Sequence, residues 1–407
     1  MVKEISFKKI WLIVFSLLAS FPLLPKAVES SLMILFLILS VILYSKRDNK
    51  DLKKDALKNI LILSSVFIIY CLSSFYSSNY NESLKFIIIT SPILMFPLCL
   101  GFLSGEKITS AQGRIIKHIY VMSIFLSLLI THFYLKKNVL SNVSNWEYRN
   151  SFEDFTKVHG TYFSLWVGFG IIILINELYE QIKRTPFFYS ITYLILIGYF
   201  LYWQFTLEAR LPLFMTLLIS SIYIILKLNQ KYKIIVSLFL FSLLILILSI
   251  KINVIKDKIK FGIPEGNYEL KHKEMTSEEI RSGIYYCSQS LIRESWLFGY
   301  GIGDVNDKLN LCYIEKIKSD VYQIFHYNSH NQFLQIFLSA GVLGFLFFLY
   351  TLFYGIKNAI KNKYQLYVMF NILIIVCFFT ENILSRHDGV LFYSYFNTLL
   401  FFKINNT

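Results

Sequence analysis

The feature that most constrains this chain is a series of apolar runs, each roughly 15 to 22 residues long, separated by charged or turn-forming segments. At 1.5 Å per residue, a helix of about 20 residues crosses a hydrocarbon layer about 30 Å thick. The runs lie near 10–25, 30–45, 60–76, 84–103, 118–135, 161–178, 187–206, 211–228, 233–250, 332–355, 366–384 and 389–402, which predicts about 12 transmembrane helices. Composition excludes the alternative of a soluble fold, since 55% of residues are hydrophobic and 16% are charged, against about 25% charged in soluble domains. In lipid every backbone polar group must be satisfied within the segment, so the expected fold class is an all-α polytopic membrane protein.

Lys8 and Lys9 precede the first run, but a second run follows closely, so the first is expected to be a retained span rather than a cleaved signal. Placing the N-terminus in the cytoplasm puts Lys46, Arg47, Lys50, Lys53, Lys54 and Lys58 in one inward loop, as the positive-inside rule requires, and puts both termini inside. The long segment 253–331 then faces outward. The chain thus divides into helices 1–9 over residues 1–252, a loop with short helices over 253–331, and helices 10–12 over 332–407.

Forty Lys and Arg against twenty-six Asp and Glu suit contact with membrane lipid headgroups or an anionic substrate. The basic residues are interspersed between apolar runs, which argues against a nucleic-acid partner. No Cys/His cluster has metal-ligand spacing and no phosphate-binding glycine motif joins a strand to a helix, so no metal and no cofactor is expected.

Charges at membrane depth are costly, and three places carry them or adjoin them. Glu208-Ala209-Arg210-Leu211-Pro212 sits between two spans; Pro212 suits a first helical turn, which places Arg210 at an outward helix N-terminus, where a guanidinium and unpaired N–H groups would together attract a phosphate. An interfacial arginine paired with Glu208 is the simpler alternative. The long loop offers Arg281, Arg293 and the alternating glycines Gly299, Gly301 and Gly303, followed by Asp304, which also fit a plain turn. The third place is Tyr327 through Gln332. Here His330 would head the tenth helix, and at 100° per residue Gly341 returns within about 20° and Gly344 within about 40° of it, forming a groove of small residues below the histidine. A helix N-terminus favours the neutral imidazole that a general base needs; Asn331 could orient it or cap the helix.

Taken in order, Arg210, Arg281, Gly299-Tyr300-Gly301, His330-Asn331 and Gly341 to Gly344 resemble the O-antigen ligase and polymerase superfamily of bacterial envelope glycosyltransferases. Its members carry an Arg at the outer end of a mid-chain span, an Arg in a large periplasmic loop, a Gly-x-Gly turn and a His-Asn motif followed by Gly-x-x-Gly. The eighteen-residue interval from Arg281 to Gly299 selects Arg281 over Arg293. His159-Gly160-Thr161-Tyr162 is similar to a His-Pro-Thr-Tyr stretch of some members. Ala209, Tyr285 and Trp296 depart from the usual Ser or Thr, Trp and Pro, without removing a charged group.

The resemblance implies a GT-C-like bundle in the bacterial inner membrane with its active site facing the periplasm. It implies a donor glycan on undecaprenyl diphosphate and an acceptor saccharide hydroxyl, on lipid A-core for a ligase or on a growing lipid-linked chain for a polymerase. Ligase is the expectation here, polymerase the alternative. A transporter of lipid-linked sugars is the remote third, since it would need mid-bilayer charges and paired repeats with broken helices. In the implied chemistry Arg210 and Arg281 neutralise the departing diphosphate without a metal. His330 deprotonates the acceptor, which inverts the anomeric carbon. Asn331, Gly299, Gly301, Glu208, His326 and Asp304 would contribute to substrate binding. Separately, Cys287 and Cys312 both fall in the outward loop, where a bridge would close about 26 residues and contribute ~3 kcal/mol.

Overall fold

The computed structural model describes residues 2–48, 54–139, 143–181, 187–228, 277–317 and 320–404. They form helices α1 (Val2–Leu18), α2 (Lys26–Ser45), α3 (Lys54–Leu63), α4 (Ser65–Ser74), α5 (Tyr80–Leu98), α6 (Ser110–Asn138), α7 (Asn145–Thr156), α8 (Gly160–Gln181), α9 (Phe187–Thr206) and α10 (Arg210–Lys227). After them come α11 (Ser277–Glu294), α12 (Val305–Cys312), α13 (Asp320–Ile324), α14 (Gln332–Lys361), α15 (Gln365–Cys377) and α16 (His387–Ile404), and no strand occurs among the described residues.

Six of these helices are long and apolar enough to cross a membrane, or seven when α3 and α4 are counted as one bent span. The protein is therefore an all-helical polytopic membrane protein. Expected run 233–250 and the loop up to residue 276 lie outside the described residues. Elsewhere the elements differ from uniform rods in ways that matter. The run at 60–76 is two helices meeting at 66°, broken at Ser64, whose hydroxyl donates to the Ile93 carbonyl at 3.2 Å. The run at 366–384 stops being helical at Cys377, so the residues after it form a turn at the end of the bundle.

The core is organised around α16, whose residues 388–400 are buried on every side, as expected of a helix that is apolar all round. Phe392 and Phe396 pack against Tyr120 and Phe169, and Tyr395 stacks on Phe15 at 4.7 Å. Among the described residues the ion pairs gather at the two ends. At one end Lys8 pairs with Glu106, Arg47 donates to the Phe102 carbonyl, and buried Glu177 is held by Lys117. At the other end lie the junctions α1/α2, α4/α5, α6/α8, α9/α10 and α15/α16, together with the segment 277–331.

That segment is locked internally and to the bundle. Cys287 and Cys312 are disulfide-bonded, tying α11 to α12 around the glycine-rich turn, and Tyr322 donates to the Ile280 carbonyl at 2.8 Å. The non-reduced protein should therefore show free thiols only at Cys71, Cys99 and Cys377 when labelled under denaturation; reaction at Cys287 or Cys312 without reductant would contradict the pairing.

Candidate active site

The decisive local feature is a break in α14. Gly341 has φ 61° and ψ −162°, outside any helical conformation, so 332–340 and 342–361 are separate helical segments. In a straight helix Phe333 and Phe348 would be about 22 Å apart along the axis. Their rings instead lie 5.7 Å apart, Phe333 also meets Phe345 at 6.4 Å, and Phe337 meets Phe345 at 5.2 Å. The first segment folds back along the second. The expectation of a straight helix with Gly341 and Gly344 beneath His330 is thus corrected: angular spacing has no meaning across a residue that leaves the helix.

The fold-back returns residues 329–332 to the C-terminal end of α15. Gln332 N–H donates to the Phe378 carbonyl at 2.8 Å, its side chain bonds Tyr70 and the Leu384 N–H, and Asn331 Nδ2 donates to the Phe379 carbonyl at 3.1 Å. Buried Ser329 bonds Asn382 and Gln335. Asn331 is the N-cap, accepting from the N–H groups of Phe333 and Leu334. Asn328 Oδ1 accepts from the His330 N–H at 3.0 Å, a local turn that supports the left-handed φ of 41° at His330.

This arrangement delivers His330 to Glu381. His330 Nδ1 is 3.8 Å from Glu381 Oε2, an ion-pair separation too long for a hydrogen bond, and Arg281 Nη2 reaches Glu381 Oε1 at 3.6 Å. Burial pushes the Glu381 carboxyl up. Interaction with His330, with further electrostatic contributions from His159 and Arg281, outweighs it, holding the group below the usual carboxylate value. Because the folded value lies below the unfolded one, the stability from these contacts is complete at neutral pH and is lost only in acid, as pH falls through the folded value. His159 completes the cluster. Burial pushes its imidazole below the ordinary value, against the pull of Glu153 and Glu381, and its Nδ1 accepts from the Thr161 N–H.

Arg210 begins α10 with an exposed side chain, and Pro212 in its first turn lines a small cleft together with Thr161, Tyr162, Thr380 and Glu381. The start of α10 thus faces the same space as Glu381. Glu208 is exposed in the preceding turn with φ 50°. His326 is exposed on the surface of the loop.

Gly299, Gly301 and Asp304 occupy a different place, the joint between loop and bundle. The Tyr300 N–H donates to the Leu338 carbonyl at 2.8 Å, Gly301 N–H to Ser339 at 3.0 Å, and Val342 N–H to Trp296 at 2.9 Å. These are groups that the break removes from helical pairing, and the turn satisfies them. A Cβ on Gly299 would lie 2.5 Å from the Leu338 carbonyl oxygen. Asp304 accepts from the Ser78 and Asn79 N–H groups at 2.7 Å each, anchoring the loop at the start of α5.

Residues 192–349 match the family model described as O-antigen ligase. Over these residues the chain is similar to that family. No curated protein matches the chain. The matched stretch runs from α9 to just beyond the break in α14 and includes Arg210, Arg281, Gly299, Gly301 and His330. Glu381 lies outside it, 51 residues after His330, and sequence reasoning missed it although the signal was present. It is the one acidic residue in the apolar run 366–384, and an isolated charge in such a run is a functional candidate by default.

Proposed function

We propose that this protein is a bacterial inner-membrane glycosyltransferase of the O-antigen ligase type, which moves a glycan from undecaprenyl diphosphate to an acceptor hydroxyl, such as one on lipid A-core, at the periplasmic face. The observation that carries the proposal is the meeting of Arg281 and His330 on the buried carboxylate of Glu381, beside a cleft that the first turn of α10 also lines.

In this reading Glu381 acts as a positioning residue. Its charge steadies the Nδ1 side of His330, leaving Nε2 to take the acceptor proton. The acceptor oxygen then attacks the anomeric carbon from the side opposite the diphosphate, the glycosidic C–O bond to the diphosphate breaks, and the configuration inverts. Arg281 and Arg210 stabilise the charge that develops on the departing diphosphate, so the reaction proceeds without a divalent metal. Both termini and the end carrying Lys8, Arg47 and Glu106 are cytoplasmic, the site end is periplasmic, and about twelve spans in a GT-C-like arrangement complete the topology.

Purified protein with undecaprenyl-diphosphate-linked glycan and EDTA, with and without lipid A-core, tests the reading. Transfer only with acceptor is expected; lengthening of the lipid-linked glycan without acceptor would replace ligase by polymerase, and no reaction in either tube would overturn the proposed chemistry. Arg281→Lys should lower turnover about tenfold or more, because a point charge cannot replace the planar fork. Turnover equal to wild type would remove Arg281 from the clamp.

A further inference from the structure

Beyond the groups already placed, Arg386 is a further cation at the site end. Arg281 faces Glu381, and Arg149 donates to Glu153 at 2.9 Å and to Thr161 at 3.2 Å. Arg386 is exposed and has no carboxylate within ion-pair distance among the described residues. The neighbouring acids are otherwise engaged: Asp388 takes Lys26 at 3.1 Å, Glu29 faces His387 at 3.4 Å, and Glu381 is shared by Arg281 and His330.

What fixes Arg386 is an aromatic ring. Its guanidinium lies 6.0 Å from the ring centroid of Tyr162, which is buried and itself held by a 3.2 Å bond from its hydroxyl to the Asn382 carbonyl. Contact with a ring face orients a guanidinium while leaving its in-plane N–H edge available. Arg386 also immediately precedes α16, whose first-turn carboxylate, Asp388, is taken by Lys26. Tyr162 lines the cleft shared by Pro212 and Glu381, and the charge of Arg386 acts on His159.

We infer that Arg386 binds a phosphate or diphosphate group of a substrate at the Tyr162 side of the cleft. The inference rests on the glycosyl-transfer reading of the site only for the source of that group, which is either the diphosphate of the lipid-linked donor or a phosphate on the acceptor glycolipid.

The test measures binding to the full-length protein in nanodiscs, using undecaprenyl diphosphate, undecaprenol as the same tail without phosphate, and a lipid A-type phosphoglycolipid. Arg386→Ala should weaken at least one phosphorylated lipid about tenfold or more, with undecaprenol binding and the melting temperature unchanged, and Arg386→Lys should recover only part of the loss. A loss confined to undecaprenyl diphosphate assigns Arg386 to the donor; a loss confined to the glycolipid assigns it to the acceptor. Wild-type affinity of Arg386→Ala for both phosphorylated lipids would overturn the inference while leaving transfer by the wild type, and hence the proposed function, intact. Arg386-dependent binding in a protein that transfers nothing would do the reverse.

Discussion

Replacing His330 by alanine is expected to lower the rate of transfer about 10²–10⁴-fold, the usual contribution of a general base, while lipid-linked donor accumulates. The side chain is on the surface of the site rather than in the core, and the contacts that set its backbone come from its neighbours: Asn328 Oδ1, the Asn331 cap and the Ser329–Asn382 pair. The variant should therefore fold and still bind donor, so that the defect appears in kcat with KM for donor little changed. Single-turnover assays of purified protein separate these quantities. Normal product from His330→Ala would eliminate the base role, whereas loss of donor binding would move His330 to the binding of the diphosphate.

The second large effect is expected at Gly341, where backbone packs against backbone. A Cβ there would lie 2.1 Å from the Leu297 carbonyl oxygen and 2.5 Å from the Phe298 nitrogen, all backbone that no rotamer change can move. The φ/ψ pair is also one that only glycine adopts readily, costing about 1–3 kcal/mol for other residues before any overlap is counted. Gly341→Ala should thus destabilise the protein by about 3 kcal/mol or more, lower the melting temperature in detergent, and abolish transfer, because the same break positions His330. Gly198→Ala is the control. Nothing lies within 4 Å of a Cβ added at Gly198 in α9, so that change should be neutral or stabilising by up to about 1 kcal/mol. Equal melting of the Gly341 variant and wild type would mean that the fold-back does not depend on the glycine.

The two residues also mark how far sequence reasoning reached. Arg281 and His330 were legible because order and spacing along the chain carry their signal, and the structure brings these two onto one carboxylate. Gly299 and Gly301 were legible as a tight turn, although what the turn packs against, the interrupted backbone of α14, was not. Asp304, a substrate-binding candidate, accepts from the N–H groups of Ser78 and Asn79, a contact that chain order does not reveal. Reading 332–355 as one continuous span failed at Gly341 because apolar residues continue on both sides of the break, and hydropathy records burial in lipid without recording direction.

From its sequence alone this chain had to be an all-helical membrane protein, since apolar runs of spanning length leave the backbone no other way to satisfy its hydrogen bonds in lipid. The pairing of Cys287 with Cys312 was within reach for a similar reason, both lying in one short outward segment. That Glu381, His159 and Arg386 lie near Arg281 and His330 was decided only by tertiary structure. Each sits at a helix junction, and they come near Arg281 and His330 because α14 folds back and α15 ends early. Local patterning specifies how each segment meets lipid, but which junctions meet one another depends on packing between helices distant in sequence.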